Sequence, residues 1–253
     1  IARSVVILDE CQTLPPDLVK PTCQMLQQLT TDLGCTVVLC TATQPAFNHE
    51  SLRDDRRDHR LLPREIIPAE LDLFSALRRV QIDWPARDAR LPWAKLAARM
   101  LATAASLCIV NTKRAARDLF TELNQSSNAV YHLSTDMCPA HRLSVLAAIK
   151  SRLDSKQSVF VVSTQLIEAG VDIDFPCVFR EMAPLEAIIQ AAGRCNREGL
   201  LPDAGGQVTV FRSEKENIPG GWYRLGRDVL EANFLAASVR KQPLAIATAG
   251  CLD

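Results

Sequence analysis

The stretch Ser4-Val5-Val6-Ile7-Leu8-Asp9-Glu10 (SVVILDE) decides how this chain is built. Ser4–Leu8 shows no polar alternation, so it reads as a parallel strand covered on both faces. Two carboxylates come next at its carboxyl end, where open α/β sheets place their ligand sites. Downstream, Leu18, Met25, Leu26, Leu29 and Leu33 recur at helical spacing between Asp17 and Leu33, and Gly34 supplies the stop. Thr36–Cys40 (TVVLC) is the next strand. A strand, a helix and a second strand in this order form the repeating unit of a parallel sheet.

Residues 44–75 break the pattern. They hold Pro45, Pro63, Pro68 and the mixed charges Arg53-Asp54-Asp55-Arg56-Arg57-Asp58, and read as a solvated loop. Arg79–Trp84 is expected to close the first sheet, and Pro85–Pro92 to act as a linker. The alternation then restarts, with helices expected near 93–105, 114–123, 139–153 and 185–192. Strands are expected at 107–110, 129–133, 158–162, 177–180 and 207–211. Residues 93–212 thus have the content of one complete α/β domain, whereas 1–84 look like the carboxyl-terminal half of one. Residues 213–253, with a short helical pattern at 227–240, are expected to open an accessory region.

The bulk numbers narrow the class. The chain has 253 residues, 47% of them apolar, enough to fill one or two buried cores. No apolar run approaches the ~18–20 residues needed to cross a bilayer. The opening Ile1-Ala2-Arg3 carries no signal-peptide pattern, so the expected setting is cytoplasmic. Formal net charge is zero, so any grip on nucleic acid must come from local groups. Nine cysteines stand at 11, 23, 35, 40, 108, 138, 177, 195 and 251 with no two-residue gap, which reads as free thiols in a reducing compartment. His132, Asp136 and His141 lie close in sequence without metal-ligand spacing.

Four groups of residues carry chemistry. Asp9 and Glu10 are placed as a magnesium ligand and a water-orienting carboxylate are placed in phosphoryl-transfer ATPases, although two acids opening a surface turn would look the same. In Gln190-Ala191-Ala192-Gly193-Arg194-Cys195-Asn196-Arg197, offsets of four and three put Gln190, Arg194 and Arg197 on one helical face. Two guanidiniums and an amide there form a fork for a polyphosphate. In Ser163–Asp172 a strand ends in hydroxyls, and Gly170 permits close backbone approach before Asp172. Thr41-Ala42-Thr43 and Asn111-Thr112 end their strands in the same way, lining sheet edges with small hydrogen-bonding residues suited to phosphate contacts.

The order of these motifs resembles motifs II, III, V and VI of superfamily 2 helicases. The wording is narrower. Leu8–Pro15, Val38–Pro45, Cys108–Thr112, His132–Thr135, Ser163–Phe175 and Gln190–Gly199 resemble the CRISPR-associated helicase-nucleases of type I systems, most of all subtype I-C. This resemblance covers most of residues 4–211. It implies tandem RecA-like domains of the P-loop NTPase type, the first one incomplete. It further implies that Asp9 binds Mg²⁺ and that Glu10 activates water. Gln12, Thr41 and Thr43 would couple hydrolysis to movement. Gly170, Asp172 and Gln190 would touch ATP, and Arg194 and Arg197 would act on its γ-phosphate from across a cleft between the two domains. Asn111, Thr112 and Thr164 would hold single-stranded DNA, and a Cascade-type effector complex would recruit the whole.

Two departures stand out. Cys11 occupies a position usually held by alanine. No glycine is followed by lysine, so the phosphate loop G-x-x-x-x-G-K-[ST] does not occur in these residues. With the expected nuclease part also not seen, the chain reads as a fragment that is inactive by itself. Alternatives are another superfamily 2 nucleic-acid-remodelling ATPase, or a non-catalytic scaffold derived from one.

Overall fold

In the computed structural model the described residues are 2–41, 45–53, 58–71, 77–167, 171–201, 205–215 and 218–233. Residues 2–71 form one compact unit and residues 77–233 a second.

In the first unit β1 (Val5–Leu8) and β2 (Thr36–Leu39) pair in parallel, Val5 opposite Thr36 and Leu8 opposite Leu39. Between them runs α1 (Pro16–Thr31). Proline at its first position costs no hydrogen bond, and Asp17 complements the positive end of the helix dipole. Gly34, at φ +63°, turns the chain back into β2. Cys23 and Leu26 of α1 are buried, and Cys23 packs with Cys11, Phe47 and Leu52. Covering on both faces of β1 is not found among the described residues: Val5 and Ile7 are each 64% exposed. The charged stretch is anchored at its end, where Gln27 of α1 donates to the carbonyls of Asp58 and Arg60. Arg60 in turn holds the Asp58 carboxyl down to about 2.

The second unit is a six-stranded parallel sheet. Its strands are β3 (Val80–Asp83), β4 (Ala105–Ile109), β5 (Val130–Leu133), β6 (Val159–Ser163), β7 (Cys177–Glu181) and β8 (Gly206–Phe211), ordered β3-β8-β7-β4-β6-β5. The expectation that Arg79–Trp84 closes the first sheet is therefore corrected. The strand forms, but it lies beside β8, with Val80 opposite Gly206. Alternation along a strand names its faces, not its neighbour.

Among the described residues five helices accompany this sheet: α2 (Trp93–Leu101), α3 (Lys113–Asn124), α4 (Pro139–Asp154), α5 (Leu185–Ala192) and α6 (Trp222–Asn233). Successive strand residues point to opposite faces. Cys108, Phe160, Val162 and Phe179 meet Leu96, Met100, Leu119 and Leu123 of α2 and α3. Leu107, Ile109, Val161 and Val178 meet Ile149 of α4 and Ala191 and Ala192 of α5 on the other face. This double cover explains the unbroken apolar strands. The described residues that follow Phe211, within the stretch expected to open an accessory region, pack onto this unit. Leu230 of α6 is buried with Met182, Ile188 and Val210. Arg212, almost wholly buried, ties α6 to the segment before α2 through Glu231 (2.9 Å) and the Ala86 carbonyl (2.9 Å).

This packing has two measurable outcomes. Burial pushes the Cys195 thiol up to about 12 and raises that of Cys108, while Cys138 is exposed. Since the thiolate is the nucleophile, alkylation near about pH 8 should label Cys138 first and spare Cys108 and Cys195 until denaturant is added, as read by peptide mass spectrometry. Second, a β-carbon at Gly206 would lie 2.7 Å from Cβ of Asn196 and 3.0 Å from both the Arg79 carbonyl and Cys195 Sγ. Gly206→Ala should therefore cost roughly 1–3 kcal/mol in urea denaturation.

Candidate functional site

In the first unit the chemistry gathers where β1 ends. Asp9 and Glu10 are exposed, and Glu10 sits at φ +52° and ψ +40°, a left-handed conformation costing a non-glycine residue roughly 1–2 kcal/mol. Local bonds hold it there. Its N–H donates to Asp9 Oδ1 (3.0 Å), and its carbonyl accepts from the Thr13 N–H (2.9 Å) and hydroxyl (2.8 Å). The turn is sewn to the end of β2, since Cys40 N–H donates to Leu8 O (2.8 Å) and Cys11 N–H to Cys40 O (3.2 Å). Buried Cys11, its thiol pushed up by burial, packs under this seam, so a small residue is required there. A side-chain relay runs above it. The Thr41 hydroxyl donates to the Gln12 amide oxygen, and the Gln12 amide nitrogen donates to the Glu10 carboxylate. Glu10, Gln12 and Thr41 are thus one connected group, while Thr43 lies outside the described residues.

In the second unit the expected arginine face is corrected. Helix α5 ends at Ala192, and Gly193 caps it, so only Gln190 lies in its last turn. Arg194 and Arg197 occupy the following loop, which is built into the sheet. Phe175 N–H donates to Arg194 O (3.0 Å), and Asn196 N–H donates to Phe175 O (3.0 Å). Arg194 Nε donates to the Ile167 carbonyl (3.1 Å), just before Gly170, which lies outside the described residues. Arg197 Nε stands 3.4 Å from Asp172, both side chains open to solvent. The fold thus joins two residues that lay 25 positions apart in the sequence.

Residues that sequence reasoning missed hold this loop. Asp174 accepts from the backbone N–H groups of Arg197 (2.8 Å) and Glu198 (3.1 Å). Asn196 is 2% exposed at φ +46°, a conformation asparagine tolerates better than most residues. Its amide bonds the carbonyls of Arg79 (2.9 Å) and Leu201 (3.2 Å) and accepts from the Leu201 N–H (3.0 Å). The Arg79 guanidinium donates to the Arg197 carbonyl. The available signal was a second acid, Asp174, two residues beyond Asp172.

At the end of β4 the expected pair divides. Thr112 caps α3, its Oγ1 accepting from the Ala115 N–H (3.2 Å), which leaves the hydroxyl proton for another acceptor. The helix end concentrates partial positive charge beside it. Asn111 is 3% exposed, and its amide is committed inside the unit to Met182 O, Arg180 and Tyr223. Thr164, at 5% exposed, is likewise withdrawn from the surface. Among the described residues no group of three or more His, Cys, Asp or Glu is placed to share a metal ion. No described helix is long and apolar enough to cross a membrane.

The sequence and the fold of the chain resemble those of known proteins. A family model described as "CRISPR-associated nuclease/helicase Cas3, C-terminal" matches residues 102–200. The CRISPR-associated nuclease/helicase Cas3 of Haloferax volcanii is 30% identical over 82% of this chain and 31% of its own length. That of Methanothermobacter thermautotrophicus is 27% identical over 76% of this chain and 24% of its own length. The chain therefore spans a third or less of the curated relatives it matches. The crystal structure of T. fusca Cas3-ATP shares the fold, with a TM-score of 0.63 at 19% identity over 92% of this chain and 31% of that one. The six-stranded unit thus has the RecA-like fold of the matched Cas3 structure, residues 102–200 match the Cas3 carboxyl-terminal family model, and the chain is similar to part of the Cas3 nuclease/helicases.

Proposed function

We propose that this chain is part of the ATP-driven motor of a CRISPR-associated nuclease/helicase that unwinds invading DNA in antiviral defence. The observation that carries the reading is the Thr41–Gln12–Glu10 relay. A carboxylate that orients water for ATP hydrolysis gains from a link to a neighbouring strand end, because movement there then senses the state of the nucleotide. A scaffold has no use for the link.

Asp9 would hold Mg²⁺. Its exposed carboxylate at a strand end is a hard oxygen donor of the kind that ion prefers, and the ion would offset phosphate charge when bound. Glu10 orients the attacking water, and Gln12, Thr41 and Thr43 pass the event on. In the RecA-like unit, Gly170, Asp172 and Gln190 contact nucleotide, while Arg194 and Arg197 stabilise charge on the transferred phosphoryl group. The Asp172–Arg197 pair keeps that guanidinium in place until nucleotide competes for it. Thr112 donates to a phosphate of single-stranded DNA, a contact that positions the strand without reading bases. Asn111 and Thr164 support this edge from inside. The motif wording favours a subtype I-C parent that works with a Cascade-type effector complex in the cytoplasm, which sequencing of neighbouring genes checks.

In the full-length protein Arg197→Ala should lower DNA-stimulated ATP hydrolysis by ~10³-fold or more, with Arg197→Lys recovering only part of it. Circular dichroism of both variants should match the parent. Wild-type hydrolysis by Arg197→Ala would refute the assignment.

A further inference from the structure

We propose that Arg180 is a positioning residue for nucleic-acid binding: from the middle of the RecA-like unit it fixes Asn111, and with it the turn that presents Thr112, in a network that α6 closes through Tyr223. The inference rests on the proposed contact between Thr112 and the nucleic-acid backbone.

Arg180 on β7 is 0% exposed and its neighbour Glu181 1%. A buried charge of either sign is costly unless it is hydrogen-bonded, and both terminal nitrogens of Arg180 find partners. Arg180 Nη1 donates to Asn111 Oδ1 (2.8 Å) and to the Glu181 carbonyl (2.9 Å), and Nη2 donates to the Tyr223 hydroxyl (2.5 Å). That hydroxyl in turn donates to Asn111 Oδ1 (3.0 Å). The Asn111 amide nitrogen donates to Met182 O (2.8 Å), and the Asn111 backbone N–H donates to Glu181 Oε2 (2.8 Å). Glu181 Oε1 accepts from the Ser213 hydroxyl (2.6 Å). The residue just before Thr112 is therefore held at its backbone nitrogen, its amide oxygen and its amide nitrogen.

Packing alone does not call for this arrangement. Replacing a buried ionic group with apolar residues of similar volume is often neutral or stabilising, so stability is a weak reason to keep the guanidinium. What an apolar side chain cannot supply is direction. The planar fork sets the orientation of the Asn111 amide, and the bonds of Asn111 set the backbone that enters Thr112 in the extended conformation (φ −134°, ψ 151°). Helix α6 belongs to this device because Tyr223 brings the hydroxyl shared by Arg180 and Asn111.

Removing Arg180 itself risks the fold, so the test uses Tyr223→Phe, which keeps the ring and its packing against the Met182 and Ile188 cluster. Binding of a single-stranded oligonucleotide to the full-length protein would be measured by fluorescence anisotropy for Tyr223→Phe, Thr112→Ala and the double variant. The KM for ATP and the melting temperature would be recorded alongside. Loss of one hydrogen bond's worth of positioning should weaken oligonucleotide binding by Tyr223→Phe by ~3–10-fold and leave the KM for ATP unchanged. The double variant should bind no more weakly than Thr112→Ala alone, because both changes act on one contact. Wild-type affinity for Tyr223→Phe beside a weakened Thr112→Ala would overturn the proposal and leave the Thr112 contact standing. So would losses that multiply in the double variant. Wild-type affinity for Thr112→Ala would remove the Thr112 contact, and the positioning role with it.

Discussion

Parallel strands cannot be joined by tight turns, and this constraint shapes everything functional in the second unit. Each strand must be followed by a crossover that returns along a face of the sheet, so both faces become covered and every strand ends on the same edge. Asn111-Thr112 after β4, Thr164 after β6 and Met182 after β7 reach that edge because β4, β6 and β7 lie side by side in one direction. The cost is a centre with little room for polar groups. Arg180 and Glu181, which enter it, are bonded on several sides.

The arginine loop shows how a flexible side chain can be given a fixed base. Nothing in a long arginine restrains its own tip, so control has to come from its backbone. Asp174 grips the N–H of Arg197, the Arg79 guanidinium grips its carbonyl, and Asn196 folds the chain immediately before it. Gly206 leaves the space this folding needs. The guanidinium then stands beside Asp172, at a distance where solvent weakens the attraction but does not erase the preference.

Much of this was legible in the sequence because burial on both faces leaves a plain mark. LCI, VFVV and CVF are short and apolar, and each lies in a central strand of the sheet. Partners were harder to read. Val80–Asp83 carries the right alternation, yet nothing in four residues says that it will lie against β8. The three-residue and four-residue offsets among Gln190, Arg194 and Arg197 fit a helix, but the chain leaves the helix at Gly193, because pairing with Phe175 satisfies the next backbone groups. Asn111 looked like an exposed polar strand end. Its burial depends on Tyr223, 112 residues away, which no local pattern reveals. The left-handed turn at Glu10 was equally hidden, although the acid itself was evident.

The central claim is that the acid ending β1 performs chemistry and does not merely open a surface turn. Single-turnover hydrolysis by the full-length protein carrying Glu10→Gln measures this directly, with ATP binding determined on the same sample. The account predicts ATP binding within about twofold of the parent and hydrolysis slowed by ~10²–10⁴-fold, the range that a positioned carboxylate contributes. Hydrolysis at the parent's rate, with ATP bound as before, would contradict it.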